Sequence, residues 1–227
     1  MTTFEAFYNR MKILRKVRAG LIDAYAESGE IDEKLVSKLR FIHHSLKSLQ
    51  KVNDSFVLET TNHELIPIEL DYELNEFEKD EQFFYYGING LEDYLSKSNR
   101  NFQKEIDEGL AFLEDVSFDY FFTDRDGTIS NYCGRYLSSV QGVSNALLLM
   151  RISKSIINSS IILTAAPLVN EGLEEVSILP FKDYILAGSK GREIIDKNGK
   201  YHSFPITLEK QKILDQVYSM IHTVQYS

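Results

Sequence analysis

Apolar residues recur along the first half of the chain at the spacing of helices. Over residues 4–26 they return every three or four positions, and the same spacing resumes over residues 31–52 after a Ser-Gly-Glu break. This period places the apolar side chains on one face of a helix, so the two stretches predict a helical hairpin. Two further helices are predicted at about 74–97 and 100–115. Residues 54–72 mix β-branched residues with a proline, which fits either an extended segment or a loop.

The pattern changes at Phe118, where short apolar runs begin to alternate with helical stretches. The run FDYFFT, residues 118–123, has the length of a buried strand, and residues 137 to about 155 have the period of a helix. A second strand is predicted at 160–164. Strands that alternate with helices are typical of parallel sheets, so this half of the chain predicts an α/β fold.

The chain continues with a mixed segment and a last helix. Residues 184–204 predict a strand, a glycine-containing turn and a hairpin, and residues 208–226 predict one amphipathic helix. We therefore expect a helical domain over residues 1–116, followed by an α/β segment over residues 117–227.

The net charge of −9 belongs to one segment of the chain. Residues 1–53 carry a net charge of +4, residues 54–116 carry −13, and residues 117–227 are neutral. Nucleic-acid binding requires a basic surface, so this distribution argues against it. The acidic run at 73–81 lacks the alternating oxygen ligands and central glycine of a calcium loop. It predicts a solvated helix face.

Composition narrows the class of protein further. Of the 227 residues, 43% are hydrophobic and 12% aromatic, which is enough for a core, and no apolar run reaches the roughly 20 residues of a membrane helix. The lone cysteine, Cys133, cannot form an internal disulfide or a thiolate-rich zinc site. The N-terminal stretch is charged and amphipathic, unlike a signal peptide, so we expect a cytoplasmic protein.

The candidate chemistry follows the first predicted strand as Asp124-Arg125-Asp126-Gly127-Thr128. A buried strand that ends here delivers two carboxylates to the edge of the sheet where α/β proteins keep their active sites. One carboxylate can act as nucleophile or metal ligand and the other as general acid and base, an arrangement suited to phosphoryl transfer. Asp and Gly are also common turn residues, so a plain turn is the alternative.

The stretch YFFTDRDGT resembles the first motif of the haloacid dehalogenase (HAD) superfamily of phosphatases, a hydrophobic strand that ends in Asp-x-Asp-Gly-Thr. The resemblance implies a Rossmannoid parallel sheet in which Asp124 attacks phosphorus to form an aspartyl-phosphate. It implies that Asp126 protonates the leaving alcohol and later activates water. It also implies a Mg²⁺ ion held by Asp124, by the main-chain carbonyl of Asp126 and by a later acidic motif.

A second motif of the family is a strand that ends in Thr or Ser, and SIILT ends in Thr164 after one predicted helix. The resemblance implies that the Thr164 hydroxyl binds a phosphate oxygen, together with backbone N–H groups that include those of Gly127 and Ala165. Residues 184–204 resemble, more loosely, the sugar-phosphatase branch that includes trehalose-6-phosphate phosphatase, although the usual Ser-Gly-Arg after the second strand is absent.

Two basic residues are further candidates for contact with the substrate. Arg135 lies where HAD proteins have a flap beside the active site, and Lys190 lies in the glycine-containing turn. Arg135 could equally pair with surface acids, and Lys190 could be an exposed, solvated side chain. Arg125 is a candidate to orient the carboxylates.

The third and fourth motifs of the family, a lysine and an acidic pair, are not visible in the sequence. The resemblance covers about residues 117–205, the first half of the enzyme fold. Three explanations are open: a fragment of a longer phosphatase, a short protein that has lost metal binding, or ligands supplied by a different local arrangement. We favour the fragment, because half of a parallel sheet leaves an edge and an apolar face uncovered. The N-terminal helices, a protein partner or a second chain would have to cover them.

Two functions remain open from the sequence. The first is a magnesium-dependent phosphomonoesterase that acts on a small, sugar-like phosphate. The second is a non-catalytic interaction or regulatory module with an HAD-like scaffold. The missing acidic motif is the feature that distinguishes these two functions. Without it the chain supplies few protein ligands to magnesium, so phosphatase turnover should be poor.

Overall fold

The computed structural model describes residues 3–133, 135–155 and 159–225. The first part of the chain forms a helical bundle, as the apolar spacing predicts. Its helices are α1 (Thr3–Ser28), α2 (Glu33–Lys47), α3 (Asp71–Ser98) and α4 (Phe102–Leu113). Asp32 starts α2, because its carboxylate accepts hydrogen bonds from the backbone N–H groups of Lys34 and Leu35 at 2.8 and 3.1 Å.

The ambiguous region after α2 is extended, and it forms a small antiparallel sheet with strand order β1-β2-β3. The strands are β1 (Lys51–Val52), β2 (Ser55–Glu59) and β3 (Leu65–Ile68). Asn53 and Asp54 make the turn between the first two strands, with φ of 49° and 65°. Asn and Asp tolerate this left-handed conformation, which suits a two-residue hairpin. Helix α2 therefore ends five residues before the predicted boundary.

Helix α3 buries charged side chains, so the prediction of a solvated acidic face at 73–81 is wrong. Glu73, Glu76 and Asp80 are all buried. Their spacing of three and four residues places them on one side of the helix, which faces the second part of the chain. Burial of a carboxylate requires a partner. Glu76 pairs with Lys79 of the same helix, whereas the partner of Asp80 is Arg18, which lies in α1.

The second part of the chain is built on a five-stranded sheet with order β4-β5-β6-β7-β8. The first three strands are parallel, and the last two extend the sheet as an antiparallel hairpin. The strands are β4 (Tyr120–Asp124), β5 (Ser159–Leu163), β6 (Tyr184–Gly188), β7 (Glu193–Ile195) and β8 (Tyr201–Ser203), and the helices are α5 (Val143–Ser155), α6 (Leu173–Val176) and α7 (Leu208–Gln225). The predicted α/β class, in which a helical domain is followed by a sheet with helices, is confirmed, and the sheet is mixed because its last two strands are antiparallel.

One hydrophobic core joins the two parts. It contains Phe7 and Leu39 of the bundle together with Ala146 of α5 and Ile162 of β5. Helix α5 contacts α1 and α3 of the bundle, and its apolar residues share this core with residues of the sheet. Helix α5 and the bundle therefore cover one face of the sheet. Within the described residues, no helix is long and apolar enough to cross a membrane.

Candidate active site

The parallel strands bring the predicted site residues to one edge of the sheet. Asp124 ends β4 and pairs in register with Leu163, the last residue of β5, so that Thr164 follows beside it. The turn after β6 reaches the same edge and contains Lys190. This edge gathers most of the residues that the sequence singled out, which are Asp124, Asp126, Gly127, Thr164, Ala165 and Lys190.

The loop after β4 is held closed by its own backbone. The carbonyl oxygen of Arg125 accepts hydrogen bonds from the N–H groups of Ile129 and Ser130 at 3.1 and 2.9 Å, and Gly127 N–H donates to the carbonyl of Ser130 at 2.7 Å. Gly127 has a φ of 90°, and a Cβ there would lie 2.6 Å from the ring of Tyr132. Only glycine fits this position. Its N–H group, predicted to bind phosphate, is directed into the loop in this structure.

The carboxylate of Asp126 is held from two sides. One oxygen pairs with Nη1 of Arg125, and the other accepts a hydrogen bond from the Thr164 hydroxyl at 3.3 Å. Thr164 is buried, and its oxygen also accepts a hydrogen bond from the N–H of Ala166 at 3.1 Å. Asp124, by contrast, is exposed at the end of its strand. The exposed carboxylate can therefore reach a ligand, while its neighbour is fixed in place.

Arg125 lies almost completely within the protein, with 2% of its surface exposed. Its Nη2 donates hydrogen bonds to the carbonyl and the hydroxyl of Ser139 at 2.5 and 3.1 Å. The guanidinium carbon also lies 5.4 Å from the centre of the Tyr136 ring. Burial raises the pKa of Tyr136 to about 12, and the neighbouring Arg125 acts in the opposite direction. The sequence could suggest that Arg125 orients a carboxylate. Its hydrogen bonds to Ser139 could not be predicted, because Ser139 lies 14 positions away and no sequence pattern links the two residues.

The two basic candidates for substrate contact, Arg135 and Lys190, lie in different surroundings. Arg135 contacts the bundle, since its guanidinium donates to the Tyr8 hydroxyl and to the carbonyl of Pro67, each at 3.4 Å. Lys190 is exposed and adopts a φ of 56° in the turn after β6. Lys190 therefore stays a candidate for substrate contact at this edge of the sheet, which we call the active edge. Arg135 would have to leave its contacts with Tyr8 and Pro67 to bind a substrate there.

Cys133 is half-buried between the loop and α3. Its thiol lies 3.9 Å from a carboxylate oxygen of Glu73 and 3.3 Å from the Ser138 hydroxyl. Burial raises the pKa of the Cys133 thiol, and the charge of Glu73 raises it further. A thiol with these neighbours stays protonated, so it is a packing group rather than a nucleophile.

The oxygen donors at this edge are of the kind that Mg²⁺ prefers. They include the Asp124 carboxylate and the backbone of the loop. Within the described residues, no group of three or more Asp, Glu, His or Cys side chains could hold a metal ion together. The residues fit a magnesium ion that takes most of its ligands from water and substrate, as that ion commonly does.

Comparison with known proteins gives matches for both parts of the chain. Residues 3–108 match the family model described as the trehalose-6-phosphate phosphatase N-terminal helical bundle domain, and residues 121–226 match that of trehalose-6-phosphate phosphatase, C-terminal. The two models leave only a short connection between them unmatched.

Among curated proteins, the chain is 29% identical to alpha,alpha-trehalose-phosphate synthase [UDP-forming] 2 of Caenorhabditis elegans, over 96% of the chain and 19% of that protein. It is 30% identical to a trehalose-phosphatase of Brugia malayi, over 60% of the chain and 31% of that protein. It is 34% identical to a trehalose-phosphatase of Caenorhabditis elegans, over 40% of the chain and 23% of that protein. The chain thus spans less than a third of the length of these relatives.

Proposed function

Because its two parts match the two domains in order, the chain belongs to the trehalose-6-phosphate phosphatase family, and we propose that it hydrolyses a sugar phosphate with magnesium. Trehalose 6-phosphate, the substrate in the family's name, is the first compound to test. One observation carries the proposal. At the carboxyl ends of β4 and β5, an exposed Asp124 stands beside an Asp126 that Thr164 and Arg125 hold in place.

The proposed reaction divides the work between the two carboxylates. An oxygen of Asp124 attacks phosphorus, and the bond between phosphorus and the sugar oxygen breaks. Asp126 gives its proton to that oxygen, so the sugar leaves as an alcohol. Water then attacks the aspartyl-phosphate, Asp126 takes a proton from the water, and inorganic phosphate leaves with Asp124 restored. The fixed position of Asp126 suits an acid and base that must reach both oxygens in turn.

A magnesium ion would bind at Asp124 and at the backbone carbonyl of Asp126. When bound, it would neutralise negative charge on the transferring phosphoryl group. Ala165, an exposed residue at the same edge, would bind a phosphate oxygen through its backbone N–H. The hydroxyl of Thr164 would bind phosphate only by giving up its hydrogen bond to Asp126. Lys190 would add a positive charge at the rim.

The experiment is an assay of phosphate released from trehalose 6-phosphate with and without Mg²⁺. We expect release that depends on the metal and falls by at least about a thousandfold in Asp124→Asn, because the amide is not a nucleophile. The matched control is Asp119→Asn, which neutralises an exposed acid just before the same strand. Activity retained in Asp124→Asn would overturn the assignment of the nucleophile.

A non-catalytic scaffold is the second candidate, and one observation favours it. The described residues contain no acidic cluster that could hold magnesium by itself. Among the described residues, β4 is an edge strand, and its Tyr120 and Phe122 are each 62% exposed. This edge would then bind a protein partner or a second chain. No phosphate release from any sugar phosphate, combined with a stable complex through this edge, would support the scaffold over the enzyme.

A cytoplasmic location is part of the proposal. Its support is the lone, half-buried Cys133, since disulfides are rare in that compartment.

A further inference from the structure

The guanidinium of Arg125 joins two segments of the chain that are otherwise separate. One of its nitrogens pairs with the carboxylate of Asp126, and another donates to both oxygens of Ser139 at 2.5 and 3.1 Å. The group is planar and rigid, and it is buried. The position of Asp126 therefore depends on the position of Ser139.

The residue after Ser139 is held by the helical bundle. The carbonyl oxygen of Val140 accepts a hydrogen bond from Nη1 of Arg18 at 2.8 Å and a longer one from the Tyr72 hydroxyl at 3.4 Å. Arg18 comes from the middle of α1 and Tyr72 from the start of α3, and both are buried. The bundle thus fixes the same short segment to which Arg125 is bound.

The Arg18 side chain is held in turn by Asp80 of α3. Arg18 Nε and an oxygen of Asp80 lie 2.9 Å apart, and both side chains are 1% exposed or less. The other oxygen of Asp80 accepts hydrogen bonds from the N–H groups of Val143 and Ser144 at 2.7 and 3.3 Å. Asp80 therefore caps the start of α5 from a different part of the chain, a role that a local side chain usually plays.

We propose that the buried Arg18–Asp80 pair of the bundle positions the catalytic carboxylate of Asp126, acting through the Ser139–Val140 segment and the guanidinium of Arg125. Arg125 is accordingly a positioning residue. The inference rests on the proposed role of Asp126 as acid and base, but its geometry can be tested without turnover. A shift of the bundle would move Asp126 relative to Asp124, so binding at the bundle could alter the rate at the active edge.

The test is hydrogen exchange at the backbone amides of Gly127 and Ser130, which report opening of the catalytic loop. The bundle is perturbed in Arg18→Gln/Asp80→Asn, which removes both buried charges together and keeps an oxygen that can accept at position 80. We expect exchange at the loop amides to rise about tenfold, the effect of losing one hydrogen bond to a charged group. Exchange at Ile162 and Leu186, in the centre of the sheet, should rise less, since it reports global opening.

The matched control is Lys16→Gln/Asp23→Asn, which neutralises one cation and one anion on the surface of the same helix. It should leave the loop amides unchanged. The decisive comparison adds Arg125→Gln to the bundle variant. If the coupling runs through Arg125, the combined chain should exchange at the loop no faster than Arg125→Gln alone. If the exchange rate of the combined chain rises by the product of the two separate increases, the two changes act independently and the proposal is overturned.

The bundle variant could unfold, and Arg125→Lys then keeps the proposal falsifiable. A lysine retains the charge but cannot contact Asp126 and Ser139 at once with a rigid fork. Loop exchange should rise severalfold in Arg125→Lys with the sheet amides unchanged, and exchange equal to that of the unmodified chain would contradict the positioning role. These exchange rates are measured without substrate, so a chain that releases no phosphate would still show whether the bundle positions Asp126.

Discussion

The two faces of the five-stranded sheet differ in what covers them. On the face covered by α5, the bundle supplies buried apolar residues, a charge pair and the cap of the helix, as Phe7 and Asp80 show. On the opposite face, the aromatic side chains of Tyr120 and Phe122 of β4 are exposed to solvent. The bundle is therefore a structural layer of the α/β part, whereas the part of the chain that the structure describes supplies no such layer over Tyr120 and Phe122.

Replacing Asp80 with alanine should show the largest difference between the two sides. The substitution leaves Arg18 as an uncompensated buried charge and removes the cap of α5, so we expect a loss of about 3–5 kcal/mol in the free energy of unfolding. Urea unfolding followed by circular dichroism measures it. Asp119→Ala, at an exposed acid before β4, should change the stability by less than about 0.5 kcal/mol. Equal effects of the two substitutions would contradict the contrast between the sides.

The close approach of the bundle to the segment before α5 predicts a smaller loss for Gly142→Ala. A Cβ at this position would clash with a carboxylate oxygen of Glu76, which is buried and paired with Lys79. We expect a loss of about 1–3 kcal/mol. Gly109→Ala is the matched substitution in the exposed helix α4, where a Cβ meets nothing within 4 Å. It should raise the helix stability by about 0.5–1 kcal/mol, so the two variants should shift the urea midpoint in opposite directions.

The buried carboxylate also predicts a pH dependence of stability. Burial raises the pKa of Asp80 to about 6, against the opposing effect of Arg18. The folded chain then binds more protons at this group than the unfolded chain between about pH 4 and 6, so its contribution to stability falls as the pH rises through that window.

Urea unfolding from pH 4 to pH 7 measures this dependence, with Asp80→Asn as the comparison because it cannot titrate at that position. The free energy of unfolding of the unmodified chain, relative to that of the variant, should be highest near pH 4 and should fall as the pH rises to about 6. A difference that is independent of pH would show that Asp80 does not titrate in this range.

The smallest expected effect concerns Cys133, at the junction of the loop and the bundle. Its raised thiol pKa predicts slow alkylation by iodoacetamide at neutral pH, well below the rate of a small thiol. Glu73→Gln removes the second cause of the shift and should speed alkylation several times. Mass spectrometry measures the rate, and fast labelling of the unmodified chain would contradict the burial.

Much of this arrangement could be predicted from sequence, because local patterns mark it. The apolar period marks α1 and α2, and the run before Asp124 marks β4 and the active edge. The small antiparallel sheet is harder to predict, since the residues after α2 carry a proline and no clean alternation. The turn at Asn53 and Asp54 is its one local signal.

The contacts that link the bundle to the site could not be predicted, because they join residues that are far apart in the sequence. Nothing near Asp80 in the sequence indicates that it caps a helix 63 positions later or pairs with Arg18. An acidic run is usually a solvated face, and here the tertiary contacts override that rule. Part of the acidic excess of residues 54–116 therefore lies at the interface between the bundle and the second part of the chain, where Glu73 and Glu76 are buried together with Asp80.

The role of Asp124 as the nucleophile of a phosphatase site can be tested with beryllium fluoride. Bound to an aspartate, this compound mimics a phosphoryl group, so ¹⁹F NMR of the chain with Mg²⁺ should show protein-bound fluoride signals. The signals should be absent in Asp124→Asn and retained in Asp119→Asn. Signals of equal intensity in Asp124→Asn, or no bound signal in the unmodified chain, would contradict the assignment of the nucleophile.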